Sequence, residues 1–288
     1  MTSLSRVISG TMTWGSWGKG FSTAQMQSLI ETVYGLGITT FDHADIYGGY
    51  TTEAEFGEAF ASAAVDRESV QFVTKCGIQY PCEERPLSVK HYDTSANHIR
   101  QSVEASLRHL QTEYVDVLLI HRPSPLMDPH EIGDTVAALK DEGKIHGFGV
   151  SNFTPSQMAR LQSCVEVDWN QIECSLTHEV PMNDGTLDYM AVHDIGAMAW
   201  APLGSVFKEQ GERQTRILSA LKPLCEQYQA SEDQLLLAWL LKHPSGIHPV
   251  VGTTSPDRLE LAINAINIEL SLTDWFIMLE AAKGVQVA

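Results

Sequence analysis

Basic residues are scarce: 19 lysines and arginines stand against 36 aspartates and glutamates, a formal net charge of −17. So acidic a balance argues against nucleic acid or an anionic membrane as partner, because both are bound through positive patches. Cysteines number only five, an odd count, and no C-x-x-C occurs among them. That spacing argues against a disulfide framework and against a structural zinc site, and reduced thiols in a cytoplasm are the expectation. No apolar run approaches membrane-spanning length, and MTSLSRVISG has no charged-then-apolar leader pattern. No G-x-G-x-x-G follows the first strand candidate, which weakens a Rossmann assignment.

What is present is a chain of 288 residues, 43% hydrophobic, long enough to bury a large core. Short apolar segments recur, each followed by a longer segment of helical period. Eight strands are predicted, at Gly10–Trp14, Thr39–Asp42, Gln71–Lys75, Val115–His121, Ile145–Ser151, Val167–Ile172, Ala197–Ala201 and His248–Val251. Most are near-continuous apolar runs, as expected of strands covered on both faces. Between them, Ser22 with Gln25 and Thr52 with Glu55 have capping-box spacing. Thr154-Pro155 and Ser255-Pro256 place a hydroxyl before a first-turn proline. Ser95–Leu110 and Arg258–Ile266 each carry one apolar stripe. Extra helical segments are expected at Arg216–Tyr228, at Gln234–Lys242 and after Thr273. Strand–helix alternation repeated eight times predicts an α/β fold, a closed (β/α)₈ barrel with extra helices, as one domain over residues 1–288.

In such a barrel the carboxyl ends of the strands converge on one mouth. Asp42, Lys75 and His121 each close a different apolar strand, and Tyr47 follows Asp42 on its loop. Singly, each has a bland explanation as a turn cap, a surface lysine, a packing histidine or a rim aromatic. Together they make chemistry: Asp42 and Lys75 neutralise one another, and an ammonium beside a phenol lowers a pKa that starts near ~10. A phenol so tuned is a general acid for an oxygen such as a carbonyl being reduced. Ser151, Asn152 and Gln171 suit a carboxamide, and Trp200 offers a flat face for a heterocycle. The loops through Ala201, Leu203 and Gly204 and through Gly252, Thr253 and Thr254 are placed for phosphates, with Arg258 one turn into the next helix. Thr11 and Met12, after the first strand, complete the expected cofactor contacts.

These stretches resemble the aldo-keto reductase family over essentially the whole chain. FDHADIYGG resembles its D-x-A-x-x-Y signature, VTKCG its lysine strand, LLIHRP its histidine strand, and GKIHGFGVSNF its strand-five motif. NQIE, AWAPLG and PVVGTTSPDRLE follow in the family's order. The resemblance is to a bacterial general-oxidoreductase branch, related to potassium-channel beta-subunit-like members. It implies a tetrad of Asp42, Tyr47, Lys75 and His121, with Tyr47 the proton donor, Lys75 its pKa modifier, Asp42 the partner of Lys75 and His121 the orienter of the carbonyl. It implies NADPH across the mouth, its carboxamide on Ser151, Asn152 and Gln171 and its nicotinamide on Trp200. The sequence departs where many members have a lysine, at Gly252, and where the R-x-x-E-N adenine end reads R-L-E-L-A, with Leu261 and Ala262. NADH use stays open on that ground. The short tail Lys283–Ala288 implies an open substrate pocket, walled by Trp14, Trp17, Tyr50, Tyr80 and Phe207, for apolar or aromatic carbonyls. No metal is expected.

Three other functions compete. A Schiff-base aldolase would use Lys75 as nucleophile, but an ion pair with Asp42 keeps an amine charged. A metal hydrolase on His43, Asp45 and His121 has too thin a ligand set. A nicotinamide-sensing binding subunit with little turnover shares every motif above and is separated only by a turnover measurement.

Overall fold

Alternation of apolar strands with amphipathic helices closes this chain into a ring. In the computed structural model, which describes residues 2–83 and 85–287, β1 (Ile8–Gly10) leads to α1 (Thr23–Gly35) and β2 (Thr40–Asp42) to α2 (Thr52–Ala61). β3 (Gln71–Cys76) passes through a small hairpin, β4 (Ile78–Gln79) and β5 (His91–Tyr92), to α3 (Ala96–His109). β6 (Val115–Ile120), α4 (Pro129–Asp141), β7 (Ile145–Ser151) and α5 (Pro155–Gln162) follow, then β8 (Trp169–Glu173), α6 (Thr186–Val192) and β9 (Gly196–Trp200). Two helices, α7 (Glu212–Tyr228) and α8 (Glu232–Leu241), precede β10 (His248–Val251), and α9 (Pro256–Asn264) and α10 (Leu272–Lys283) complete the outer layer. The parallel strands run β1-β10-β9-β8-β7-β6-β3-β2 around a closed barrel, the fold expected from the sequence. Among the described residues no helix is long and apolar enough to cross a membrane.

The two-residue period of the strands sorts side chains into two cores. Ile8, Val73, Val117, Leu119, Trp169, Met198 and Val250, with Leu4, fill the barrel interior. One step further along the same inward faces come Lys75, Gln171, Trp200 and Gly252, so the polar residues cap the apolar plug. Room for the indole of Trp169 comes from Gly196, where an added Cβ would lie 2.4 Å from both Cε3 and Cζ3 of that ring. The larger core lies between strands and helices, with Phe41, Phe56 and Phe72 at one side of it.

Two expectations are corrected here. The first strand lies at Ile8–Gly10 rather than Gly10–Trp14. After Thr11 donates to the Asp42 carbonyl the chain turns, with Trp14 N–H on the Thr11 carbonyl at 3.0 Å. Trp14 is thereby carried outward, fully buried, with its ring 6.2 Å from Phe41 and 5.9 Å from Phe56. An aromatic continuing an apolar run imitated a strand, and Trp14 is no pocket wall. The second is the cap of α2: its N-cap is Thr51, without a side-chain bond. The Thr51 and Thr52 amides both donate to the Tyr47 carbonyl, each at 3.2 Å, so the chain itself does what the hydroxyl would have done. Ser22–Gln25 and Thr154–Gln157 do form capping boxes.

His43 belongs to the outer core. Its Nδ1 lies 3.0 Å from Thr11 Oγ1, and its ring stands 4.4 Å from Phe56 and 5.7 Å from Phe72. Burial, then the charges of Lys75 and Arg67, lower its pKa to about 3. Among the described residues no three His, Cys, Asp or Glu side chains are grouped to hold a metal ion.

The packing makes two predictions. At Gly57, in α2, an added Cβ would lie 2.0 Å from the His109 carbonyl and 2.8 Å from Leu110 Cα. Alanine favours a helix by ~1 kcal/mol, but overpacking against backbone costs ~1–3 kcal/mol. Gly57→Ala should therefore lower the unfolding free energy by about 1–2 kcal/mol in urea titrations; a stabilised variant would show that α2 and α3 separate freely. The second concerns acid. The unfolded His43 takes a proton near 6.5 while the folded one resists to about 3. Its contribution to stability is thus full above that upper value and is lost progressively as pH falls toward the lower. His43→Gln should flatten the pH slope of unfolding free energy in that window, and an unchanged slope would rule the contribution out.

Candidate active site

A buried ammonium organises the mouth. Lys75, at the end of β3, is 1% exposed, and its Nζ lies 2.8 Å from each carboxylate oxygen of Asp42 on the neighbouring β2. It also donates to the His43 carbonyl at 2.7 Å and to Tyr47 Oη at 3.1 Å. Tyr47 reaches this point because the loop after β2 is pinned: His43 N–H bonds the Val73 carbonyl and Asp45 N–H the Lys75 carbonyl. The ring of His121 stands edge-on to Tyr47, centroids 6.2 Å apart. The structure thus brings Asp42, Tyr47, Lys75 and His121 together from three strand ends and one loop.

Their electrostatics follow from burial. For Lys75, desolvation alone would favour the neutral amine, but Asp42 and Tyr47 overcome it and raise the pKa. An aldolase nucleophile would need the reverse. For Tyr47 the expected lowering is not the net result: burial raises the phenol pKa more than Lys75 lowers it, and Asp42 adds to the rise. The phenol therefore holds its proton. Among the described residues its hydroxyl accepts from Lys75 and has no acceptor of its own. His121 is held well below its ordinary pKa by burial, then by the Lys75, Arg122 and Lys90 charges, and is neutral at physiological pH. Its Nδ1 is buried without a partner.

The residues expected at a cofactor divide into those with free groups and those already spent. Gln171 Nε2 donates to Asp42 Oδ1 at 2.8 Å, which fixes the amide and leaves Oε1 an open acceptor. Asn152 Oδ1 accepts from Trp200 Nε1 at 3.1 Å and from Glu173 N–H at 3.2 Å, and its NH₂ gives one bond to Ser151 Oγ at 3.5 Å, which leaves one N–H to offer. An acceptor and a donor so presented are the complement of a carboxamide, so these side chains fit a nicotinamide. Ser151 is fully buried and already spent: it gives its proton to the Gln171 carbonyl at 2.9 Å and accepts from Arg122 Nη1 at 3.1 Å and from Asn152 Nδ2 at 3.5 Å. Thr11 is likewise spent, its hydroxyl on the Asp42 carbonyl at 3.0 Å, and drops out of the expected contacts. Met12 is 47% exposed at the rim.

The loop after β9 turns through Ala201 and Gly204, both in the left-handed region, with Gly204 N–H on the Ala201 carbonyl at 2.8 Å. A Cβ on Gly204 would collide with Thr177 Oγ1 at 2.0 Å, so only glycine fits. Leu203 packs on the outer core instead of facing outward. At Gly252 nothing lies within 4 Å of an added Cβ, and Thr253 and Thr254 are half-buried beside it. Ser255, the N-cap of α9, makes no side-chain cap bond, so its hydroxyl and the first-turn amides are available to a phosphate. Arg258 is half-exposed, with Nε 3.7 Å from Asp233.

On the substrate side Trp17 packs on Tyr80 at 5.2 Å and faces Tyr47 at 6.2 Å. Tyr50 Oη accepts from Tyr80 N–H at 2.8 Å. Phe207 is exposed on the loop after β9. Sequence reasoning missed the β4–β5 hairpin after β3 and the guanidinium of Arg122. The strand ends at Ile120, so strict alternation no longer says where the second residue beyond it points. A cation next to His121 was the only available signal.

Comparison with known proteins agrees with this geometry. The aldo/keto reductase family profile matches residues 6–282. The oxidoreductase YcsN of Bacillus subtilis is 45% identical over 98% of this chain and 96% of its own. The 6-dehydroglucose reductase of Agrobacterium fabrum is 40% identical over 99% of this chain and 96% of its own. The glycerol dehydrogenase of Gluconobacter oxydans superposes with a TM-score of 0.83 at 23% identity, covering 95% of this chain and 90% of that one, which speaks to the fold alone. This chain therefore belongs to the aldo/keto reductase family and is an oxidoreductase.

Proposed function

We propose that the chain reduces aldehyde or ketone carbonyls to alcohols with NADPH, and that Tyr47 gives the proton. The observation that carries this is the Tyr47 hydroxyl, held 3.1 Å from the Lys75 ammonium with its own proton uncommitted. A bound reduced nicotinamide nucleotide would supply the hydride. Asn152 and Gln171 would hold its carboxamide, Trp200 would flank its ring, and the amides opening α9 would meet phosphate. Lys75 stabilises the tyrosinate left after proton transfer, because the positive charge is already in place. Asp42 keeps that charge from being lost in a buried site. Neutral His121 donates its ring N–H to the carbonyl oxygen without bringing a charge of its own. The substrate is a small carbonyl compound; that the Agrobacterium fabrum relative is named for 6-dehydroglucose supports hydroxylated carbonyls as well as the apolar ones suggested by the aromatic walls. Five free thiols support a reducing cytoplasm as its place.

NADPH is favoured over NADH because Arg258 is the cation nearest the expected 2′-phosphate, although Asp233 already shares it. NADH use is accordingly part of the proposal.

Two measurements test it. Tyr47→Phe should cut kcat for aldehyde reduction, followed at 340 nm, by about 10²–10⁴-fold while the Kd for NADPH moves less than about twofold. Retention of most of kcat would show that the proton comes from elsewhere, and tight NADPH binding by the unaltered enzyme with no turnover would mark a sensing subunit. Arg258→Ala should weaken NADPH about tenfold or more and NADH hardly at all, the loss expected of one charge-assisted contact. Equal weakening of both would remove Arg258 from the 2′-phosphate.

A further inference from the structure

Arg122 has no part in the reaction as proposed, yet it is built into the mouth. Its Nη1 donates to the His121 carbonyl at 2.6 Å and to Ser151 Oγ at 3.1 Å. Those bonds hold the guanidinium between the ends of β6 and β7, 5.9 Å from the Trp200 ring. Of the five N–H donors of a guanidinium, the two on Nη1 are spent. The three on Nε and Nη2 have no acceptor among the described residues, and the side chain is only half-exposed. Lys90, on the loop before β5, is close enough for its charge to act on His121. Arg85 covers the Tyr50 ring at 3.7 Å. Besides Lys75, two cations, Arg122 and Lys90, thus act on His121 in a chain whose net charge is −17.

We propose that Arg122 is the specificity-determining residue of this mouth, its unspent N–H groups taking the hydroxyl oxygens next to the reacting carbonyl of a polyhydroxylated aldehyde or ketone. Lys90 serves oxygens further along the same substrate. The inference rests on the carbonyl-reductase function above and names its substrate class. The assignment is to a neutral polyol, and a carboxylate-bearing aldehyde in the test below stands for the anionic alternative. What Arg122 then offers is direction and donor number. The Trp17 and Tyr80 rings, 5.2 Å apart, give the C–H faces of such a substrate an apolar surface.

The test uses three four-carbon aldehydes at saturating NADPH: D-erythrose, butanal without hydroxyls, and succinic semialdehyde with a carboxylate. The unaltered enzyme should prefer erythrose over butanal by about tenfold or more in kcat/KM, the selectivity expected of a site built to hydrogen-bond oxygen. Arg122→Met should lose about 10–100-fold on erythrose, mostly in KM, and under about threefold on butanal, with the Kd for NADPH unchanged. Lys90→Ala, at an exposed position where folding is not at stake, should lose about threefold or more on erythrose alone. Any of four outcomes overturns the proposal. The first is equal reduction of erythrose and butanal by the unaltered enzyme. The second is an equal loss on all three aldehydes in Arg122→Met, which would make Arg122 a support for His121 and Ser151. The third is weakened NADPH with selectivity intact, and the fourth is a preference for succinic semialdehyde. If the unaltered enzyme binds NADPH tightly and reduces none of the three, the carbonyl-reductase function fails first and carries this assignment with it. Should Arg122→Met fail to fold, Lys90→Ala alone decides between retained and lost selectivity.

Discussion

Everything at this mouth depends on keeping one ammonium charged where water does not reach. A lysine buried alone would shed its proton, since desolvation costs more than the charge can recover. Lys75 escapes because both oxygens of Asp42 lie 2.8 Å away and the His43 carbonyl 2.7 Å away. The barrel makes that arrangement available at no conformational cost: β2 and β3 are hydrogen-bonded neighbours, and Asp42 pairs in register with Val73, two residues before Lys75. Two inward-facing positions on adjacent strands are thus brought into contact by the strand period itself. The same charge then acts on everything around it. It draws the Tyr47 pKa down against burial, and it is the largest cause after burial of the depressed pKa values of His43 and His121.

The polar layer is also linked sideways. Gln171, from across the barrel, donates one amide N–H to Asp42, and Asn152 is oriented by Trp200 and by the backbone of Glu173. Rotating either amide would set like against like, so the carboxamide-shaped gap they leave is fixed by the same network that holds the tetrad. Asn152 adopts the left-handed region, a conformation asparagine tolerates better than most residues. In such a network a change at the cofactor side is felt at Lys75 through one intervening carboxylate.

Strand positions were legible because a parallel barrel covers both faces of each strand, so the apolar runs are long and bounded by turns. The polar residues closing those runs were legible for the same reason: a charge at the end of VDVLLI or QFVT is conspicuous. What failed was where that logic stops. Trp14 extended an apolar run but belongs to the outer core, because one turn at Thr11 reverses the direction of its side chain. Thr52 had the spacing of a cap, but the Tyr47 carbonyl had already taken the amides. The hairpin of Ile78–Gln79 with His91–Tyr92 is too short and too polar to announce itself by alternation. The sign of the Tyr47 shift was also misjudged, since proximity to a cation can be argued from a sequence and depth of burial cannot.

That sign decides which group can give up a proton in the proposed reaction. Lys75 is a poor donor, because neutralising it would leave the Asp42 carboxylate buried and unpaired, a cost of several kcal/mol. His121 is neutral, with its pKa depressed by burial and by three nearby cations, so it holds no labile extra proton. Tyr47 remains, with a proton that no acceptor among the described residues holds. A raised pKa in the free site is no obstacle: as the carbonyl carbon gains hydride, its oxygen becomes an alkoxide far more basic than a phenolate. As the proton leaves, the tyrosinate gains the full attraction of an ammonium 3.1 Å away, which is least screened where burial is deepest. The burial that keeps the proton on Tyr47 in the resting enzyme is therefore the same burial that strengthens its release when the substrate oxygen becomes the better base.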